Sequence, residues 1–196
     1  MQEELKVQHP GLDVRVVIMD LAQNASVQKA AEDINHICAT NGDSIDILIN
    51  NAGIMCLPER TVTEEHTEMH LQVNYIGHYL LTRLLLASLA KSPGGGRVVN
   101  VSSSAHAISP LRFSDPTFSD SVNLAKEEQP LKEVCKEFDT AWTLEYSPLI
   151  AYGQSKTALS LHAVALGQPI GKGTVAISVH PGGMLYPSKF HKNRIF

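Results

Sequence analysis

Short apolar, β-branched runs alternate with stretches of helical periodicity along this chain, and that alternation restricts its fold more than any other feature. "VRVVIMDL" (Val14–Leu21), "IDILINNAG" (Ile45–Gly53), "RVVNVSS" (Arg97–Ser103) and "VAISVHPGG" (Val175–Gly183) read as buried strands. Residues 25–39 predict a helix with Asn24 as its cap, and residues 63–90 one long helix broken by "SPGGG". A further helix bears "YGQSK" and runs to about Leu166. Buried strands alternating with helices imply a parallel sheet with right-handed crossovers, hence an α/β domain. The 196 residues suffice for one domain, 1–196, with a sizeable core.

Polar residues gather where these strands end. Asp20 closes the first, Asn50, Asn51, Ala52 and Gly53 the second, Ser102 and Ser103 the third, Pro181 and Gly182 the fourth. Ligands of such sheets sit beyond the carboxyl ends of the strands, so the clustering marks a site. In "YGQSK" a tyrosine and a lysine stand one helical turn apart on one face. An ammonium beside a phenol favours phenolate, so the Tyr152 pKa is expected to fall from about 10 toward neutrality. A phenol so tuned can exchange a proton with an alcohol or ketone.

Composition excludes other classes. The chain is 43% hydrophobic and 18% charged, with a net charge of −4, which disfavours nucleic acid as the main partner. Cys38, Cys56 and Cys135 have no C-x-x-C spacing and read as reduced thiols of an intracellular, cytoplasmic protein. The start is not a signal peptide, and "YLLTRLLLASLA" is too short for a membrane span and holds Arg83. His66 and His70 have zinc-compatible spacing, but no third ligand is apparent, so no metal is expected and a solvated helix face is the reading. "SPGGGR" precedes a strand rather than opening a helix, so it is a turn and not a phosphate loop.

The ordered set "DL", "NNAG", Asn74 in "VNYIGHYLLTR", "RVVNVSS", "YGQSK" and "VHPG" resembles the short-chain dehydrogenase/reductases over nearly the whole chain. "VNVSSSAH" and "SVHPGG" are most similar to the retinol dehydrogenase and WW-domain oxidoreductase branch. The resemblance implies a Rossmann-type doubly wound sheet and an NAD(P)-dependent oxidoreductase acting on a small apolar alcohol or carbonyl substrate. NADP is slightly favoured over NAD. Tyr152 would be the general acid or base, and Lys156 would lower its pKa and bind the nicotinamide ribose. Ser103, preferred over Ser102 by position, would hydrogen-bond the substrate oxygen, and Asn74 would hold a water linking Lys156 to solvent. Asp20 would contact the adenine. Asn51, Ala52 and Gly53 would admit the cofactor backbone, and Pro181, Gly182 and Met184 would line the nicotinamide pocket. The helices 63–90 and 152–166 would supply a homodimer interface.

The chain also departs from that pattern. Family members begin with a strand, a T-G-x-x-x-G-x-G turn and a second strand, none of which is found in these 196 residues. "MQEELKVQHPGLDVRVV" instead looks like the end of the helix that follows the second strand. In the order 3-2-1-4-5-6 the two strands would fill a slot roughly 10 Å wide, at about 4.8 Å each, between "VRVVIMDL" and "IDILINNAG". The slot should either close or leave backbone unpaired. Tyr186 stands where a hydroxyl residue usually contacts the nicotinamide carboxamide. Ser103 and Tyr152 stand 49 positions apart, and the insertion "TFSDSVNLAKEEQPLKEVCKEFDTAWTLEY" (residues 117–146) should add a helix and loop, with Phe138 and Trp142 in ordinary packing. The alternative to an active oxidoreductase is a truncated, catalytically incompetent fragment or a pseudoenzyme acting through its helices.

Overall fold

The computed structural model describes residues 2–119, 124–167 and 173–182. Among these, three parallel strands form one sheet in chain order: β1 (Ile47–Asn50), β2 (Arg97–Val101) and β3 (Val175–Val179). Asn50 lies opposite Asn100, and Val101 opposite Val179. The helices are α1 (Gln2–Gln8), α2 (Asn24–Asn41), α3, the short α4 (Lys132–Glu137) and α5 (Pro148–Leu166). The parallel α/β class is therefore as expected. The inserted segment does add a helix, α4.

α3 is one continuous rod of three parts: Met69–Leu71, a π-helical turn Gln72–Ile76, and Gly77–Ala90. It begins six residues later than its periodicity predicts. Residues 61–67 fold back instead, with Val62 bridged to Glu68 and the Met69 N–H donating to the Thr61 carbonyl. The Glu68 carboxylate then caps the helix by accepting the Leu71 N–H at 2.9 Å. A single π turn widens the helix at a point where a side chain has another task, and here that side chain is Asn74.

Two apolar cores hold these layers. The first joins Leu21, Val27 and Ala31 to Leu81, Leu85 and Leu89 of α3, Val98 of β2 and Leu166 of α5. Gly77 permits this contact, because a Cβ there would stand 2.8 Å from the Leu21 carbonyl. The second core sits beneath the insertion and comprises Ala105, Ile108, Phe118, Cys135, Ile150 and Ala151. Just before the insertion, the Arg112 guanidinium donates to Asp115 at 2.7 Å, with both side chains buried, and lies 4.0 Å from the Phe118 ring centroid.

Several expectations are corrected. Val14–Leu21 is not part of the sheet among the described residues, Leu21 lies in a turn, and Ile18 is 86% exposed. The apolar run has a strand's composition, but composition alone does not place a run in a ladder with a neighbouring strand. For the same reason β1 is an edge strand rather than a buried one, with Ile49 60% exposed. Asn24 is not the cap of α2: Gln23 precedes the helix, and the Asn24 side chain accepts from Gln72 Nε2 at 3.0 Å. His66 and His70 share no solvated helix face. His66 lies in the turn before α3 with φ at 59°, and His70 is fully buried.

Candidate active site

β2 ends at Val101, and α5 passes over that end, so its first turns face the loop that follows the strand. Ser102 ties the two together: its N–H donates to the Val179 carbonyl at 2.8 Å and its hydroxyl to the Lys156 carbonyl at 2.9 Å. That leaves Ser103, half-buried, as the serine whose hydroxyl reaches Tyr152. Gly153 allows the approach of α5, since a Cβ there would meet the Ala105 carbonyl at 2.7 Å.

Lys156 is buried and donates from Nζ to the Val101 carbonyl at 2.9 Å, and Nζ lies 5.5 Å from the Tyr152 ring centroid. Burial destabilises its ammonium and lowers its pKa from 10.5 to about 8. Tyr152 contradicts the sequence reading. Its pKa is raised, because burial of the phenolate outweighs the Ser103 hydrogen bond that favours it, and the Cys56 thiol pushes the same way as burial. The two side chains do share a helix face. Lys156, however, is held on the strand end, and desolvation of the phenol prevails.

Asn74 closes the third side. Its Oδ1 accepts the Ile54 N–H at 2.8 Å, and its Nδ2 donates to the Ile54 carbonyl at 3.0 Å and to Ser155 Oγ at 2.8 Å. Ser155 Oγ in turn donates to the Tyr152 carbonyl at 2.7 Å. The π turn therefore links the loop after β1 to the helix that bears the tyrosine. Asn74, Ser103, Tyr152 and Lys156 come together in one place.

Of the expected cofactor-side residues, Gly53 packs against this group, near Asn74 and Lys156. Asn51 and Ala52 are exposed, and Gly53 is half-buried against Asn74. Pro181 and Gly182 are exposed after β3. Met184 and Tyr186 lie outside the described residues. The Asp20 carboxylate accepts from the Ala22 N–H at 2.9 Å and from Gln23 Nε2 at 3.1 Å. It caps the turn before α2, and an exposed oxygen surface remains.

Other polar residues emerge only in three dimensions. Asn50 Nδ2 donates to Asn100 Oδ1 at 2.8 Å and to Thr82 Oγ1 at 3.0 Å, and Asn100 Nδ2 donates to the Leu159 carbonyl at 3.1 Å. These buried amides bolt α3 and α5 to the sheet below the site. His78 Nε2 donates to the Ala52 carbonyl at 2.7 Å, and burial lowers the pKa of this imidazole. The sequence signal for the two asparagines was their place inside apolar strands, where an unpartnered amide would be costly. Among the described residues no group of His, Cys, Asp or Glu could hold a metal ion, and the three cysteines are free.

Comparison with known proteins agrees with this geometry. A family profile described as short chain dehydrogenase matches residues 1–114. Oxidoreductase fscI of Fusarium equiseti is 48% identical over 188 residues, covering 94% of this chain and 71% of that protein. Retinol dehydrogenase 12 of Mus musculus is 35% identical over 183 residues, covering 93% of this chain and 48% of that protein. The chain thus spans about half the length of many curated relatives it matches. The crystal structure of NADPH-bound carbonyl reductase from chicken fatty liver superimposes with a TM-score of 0.60 at 21% identity, over 95% of this chain and 66% of that one. That structural likeness speaks to the fold alone. Sequence, relatives and fold agree, and the chain belongs to the short chain dehydrogenase family.

Proposed function

We propose that this chain holds the catalytic side of an oxidoreductase that transfers a hydride between NAD(P)(H) and an apolar alcohol or carbonyl compound. The observation that carries the reading is the convergence of Ser103 after β2, Asn74 of α3, and Tyr152 and Lys156 of α5, three separate segments. The raised Tyr152 pKa keeps the phenol protonated near neutrality, which suits it to donate a proton to a carbonyl oxygen. Ser103 adds a second hydrogen bond at that oxygen, where negative charge develops.

The residues present fit a nicotinamide ribose. An ammonium has three donors, and Lys156 uses one on Val101, which leaves two for ribose hydroxyls. The backbone at Gly182 is open, with nothing within 4 Å of where a Cβ would stand. A bound nicotinamide would supply or accept the hydride. NADP is favoured over NAD in this reading, from the family resemblance of the sequence motifs. The apolar substrate class follows the relatives named retinol dehydrogenase. Pairing of two copies through α3 and α5 belongs to the same proposal, since Tyr79, Leu84, Leu161 and Val164 leave apolar surface there. Among the described residues no helix is long and apolar enough to cross a membrane.

The test is titration of the chain with NADPH and NADH, followed by nucleotide fluorescence and thermal melting together. Saturable binding with a raised melting temperature, and carbonyl reduction lost in Tyr152→Phe, supports the proposal. A cooperative melt that neither nucleotide shifts overturns it for these 196 residues and favours the incompetent fragment.

A further inference from the structure

We propose that Glu68 and His70 are positioning residues for this site: a buried carboxylate–imidazole pair that holds the Cys56–Leu57 segment against Tyr152. The inference rests on the oxidoreductase reading of Tyr152 and concerns side chains that reading leaves idle. Both are completely buried. A carboxylate withdrawn from water must have its oxygens satisfied, and each Glu68 oxygen has its own partner. Oε2 accepts the Leu71 N–H at 2.9 Å, and Oε1 meets His70 Nδ1 at 2.7 Å.

The other imidazole nitrogen fixes the direction of the chain. His70 Nε2 lies 3.1 Å from the Leu57 N–H. A backbone N–H can only donate, so Nε2 accepts and the proton sits on Nδ1, given to Glu68. The Leu57 carbonyl is held from its own side by the Tyr146 hydroxyl at 2.8 Å. Leu57 is therefore gripped at both its backbone polar groups. Cys56, next to it, is left-handed with φ at 54°, a conformation that persists in a non-glycine residue only when its surroundings over-determine it.

This grip is felt at the tyrosine. The His70 and Tyr152 rings meet edge to face with centroids 6.4 Å apart. The Cys56 thiol acts on both the Tyr152 and the Tyr146 phenols. Capping α3 requires only Oε2 of Glu68. The arm through Oε1, His70 and Leu57 serves the loop, and with it one wall around the phenol. Such supporting contacts decide whether a reacting group is held in productive geometry.

The experiment follows the rate at which N-ethylmaleimide labels Cys56, read by mass spectrometry on the folded chain in a Cys38→Ser background, Cys135 being buried. His70→Leu removes the acceptor for Leu57 and should speed labelling about tenfold, the factor that one net hydrogen bond represents. His70→Gln retains an acceptor oxygen and should stay within about twofold of the parent. Should His70→Leu fail to fold, Tyr146→Phe releases the other end of Leu57 and should speed labelling severalfold. Unchanged labelling in a folded His70→Leu or Tyr146→Phe chain, or equal acceleration by Leu and Gln at position 70, overturns the proposal. Where the parent turns over, His70→Leu should lower kcat with little change in KM, and His70→Gln should restore kcat. A parent that never turns over removes the oxidoreductase reading, while the labelling result still decides whether Glu68 and His70 position this loop.

Discussion

Gly53 and Asn74 approach so closely that a methyl group on residue 53 would stand 2.8 Å from Asn74 Oδ1. That oxygen already accepts the Ile54 N–H, and Lys156 Nζ would be 3.7 Å from the same methyl. The glycine of "NNAG" is thus small because of the protein's own asparagine, whatever a cofactor also requires. Gly53→Ala should cost roughly 1–3 kcal/mol of stability, the range for overpacking a close contact. Urea unfolding measures it. In an Asn74→Ala background the same change should cost much less, because the clashing atom is gone.

Lys156 makes the stability of the fold depend on pH. Its pKa falls from 10.5 to about 8 on folding, so the unfolded chain binds that proton more tightly. The Lys156 contribution therefore becomes more favourable as pH rises from about 8 toward 10.5. The raised pKa values of Cys56, Cys135 and Tyr146 work in the opposite direction over the same range. The informative quantity is accordingly the stability of the wild type minus that of Lys156→Met. That difference should grow by about 2 kcal/mol between pH 7.5 and 10, by chemical denaturation at fixed temperature. A flat difference would mean that the ammonium is not held in a desolvated place.

The insertion stands on a buried charge pair. Arg112 donates to Asp115 and to the Leu144 carbonyl, and Asp115 Oδ1 accepts the N–H and hydroxyl of Ser119. Asp115→Ala leaves a buried guanidinium unpaired and should cost about 3–5 kcal/mol. A shift of the urea midpoint of that size, or loss of the cooperative transition, is the expected result. A double change, Arg112→Met with Asp115→Leu, should recover much of the loss, because two apolar side chains need no partner.

β1 presents an open edge. Ile47 and Ile49 are exposed beside a backbone that, among the described residues, has a strand on one side only, an arrangement that templates association between chains. Ile49→Lys should reduce concentration-dependent light scattering while moving the thermal midpoint by little. Equal scattering from both chains would show that association runs through another surface.

The sequence alone determined the parallel α/β layout and the four residues that converge at the site. Apolar runs and helical periodicity encode burial, and short motifs at strand ends encode where polar groups must gather. Pro148–Leu166, the strand ends at Val101 and Val179, and the pairing of Ser103 with Tyr152 were legible in that way. Tertiary structure decided what depends on neighbours distant in the chain. Val14–Leu21 has a strand's composition but joins no sheet among the described residues. Residues 63–68 have a helix's periodicity, yet the buried Glu68 carboxylate ends up as the cap. His70 has a surface residue's pattern and is buried because the Leu57 N–H, remote in sequence, needs an acceptor. Tyr152 and Lys156 have the spacing of a coupled pair, but their proton affinities follow desolvation, which no spacing in a one-dimensional string specifies.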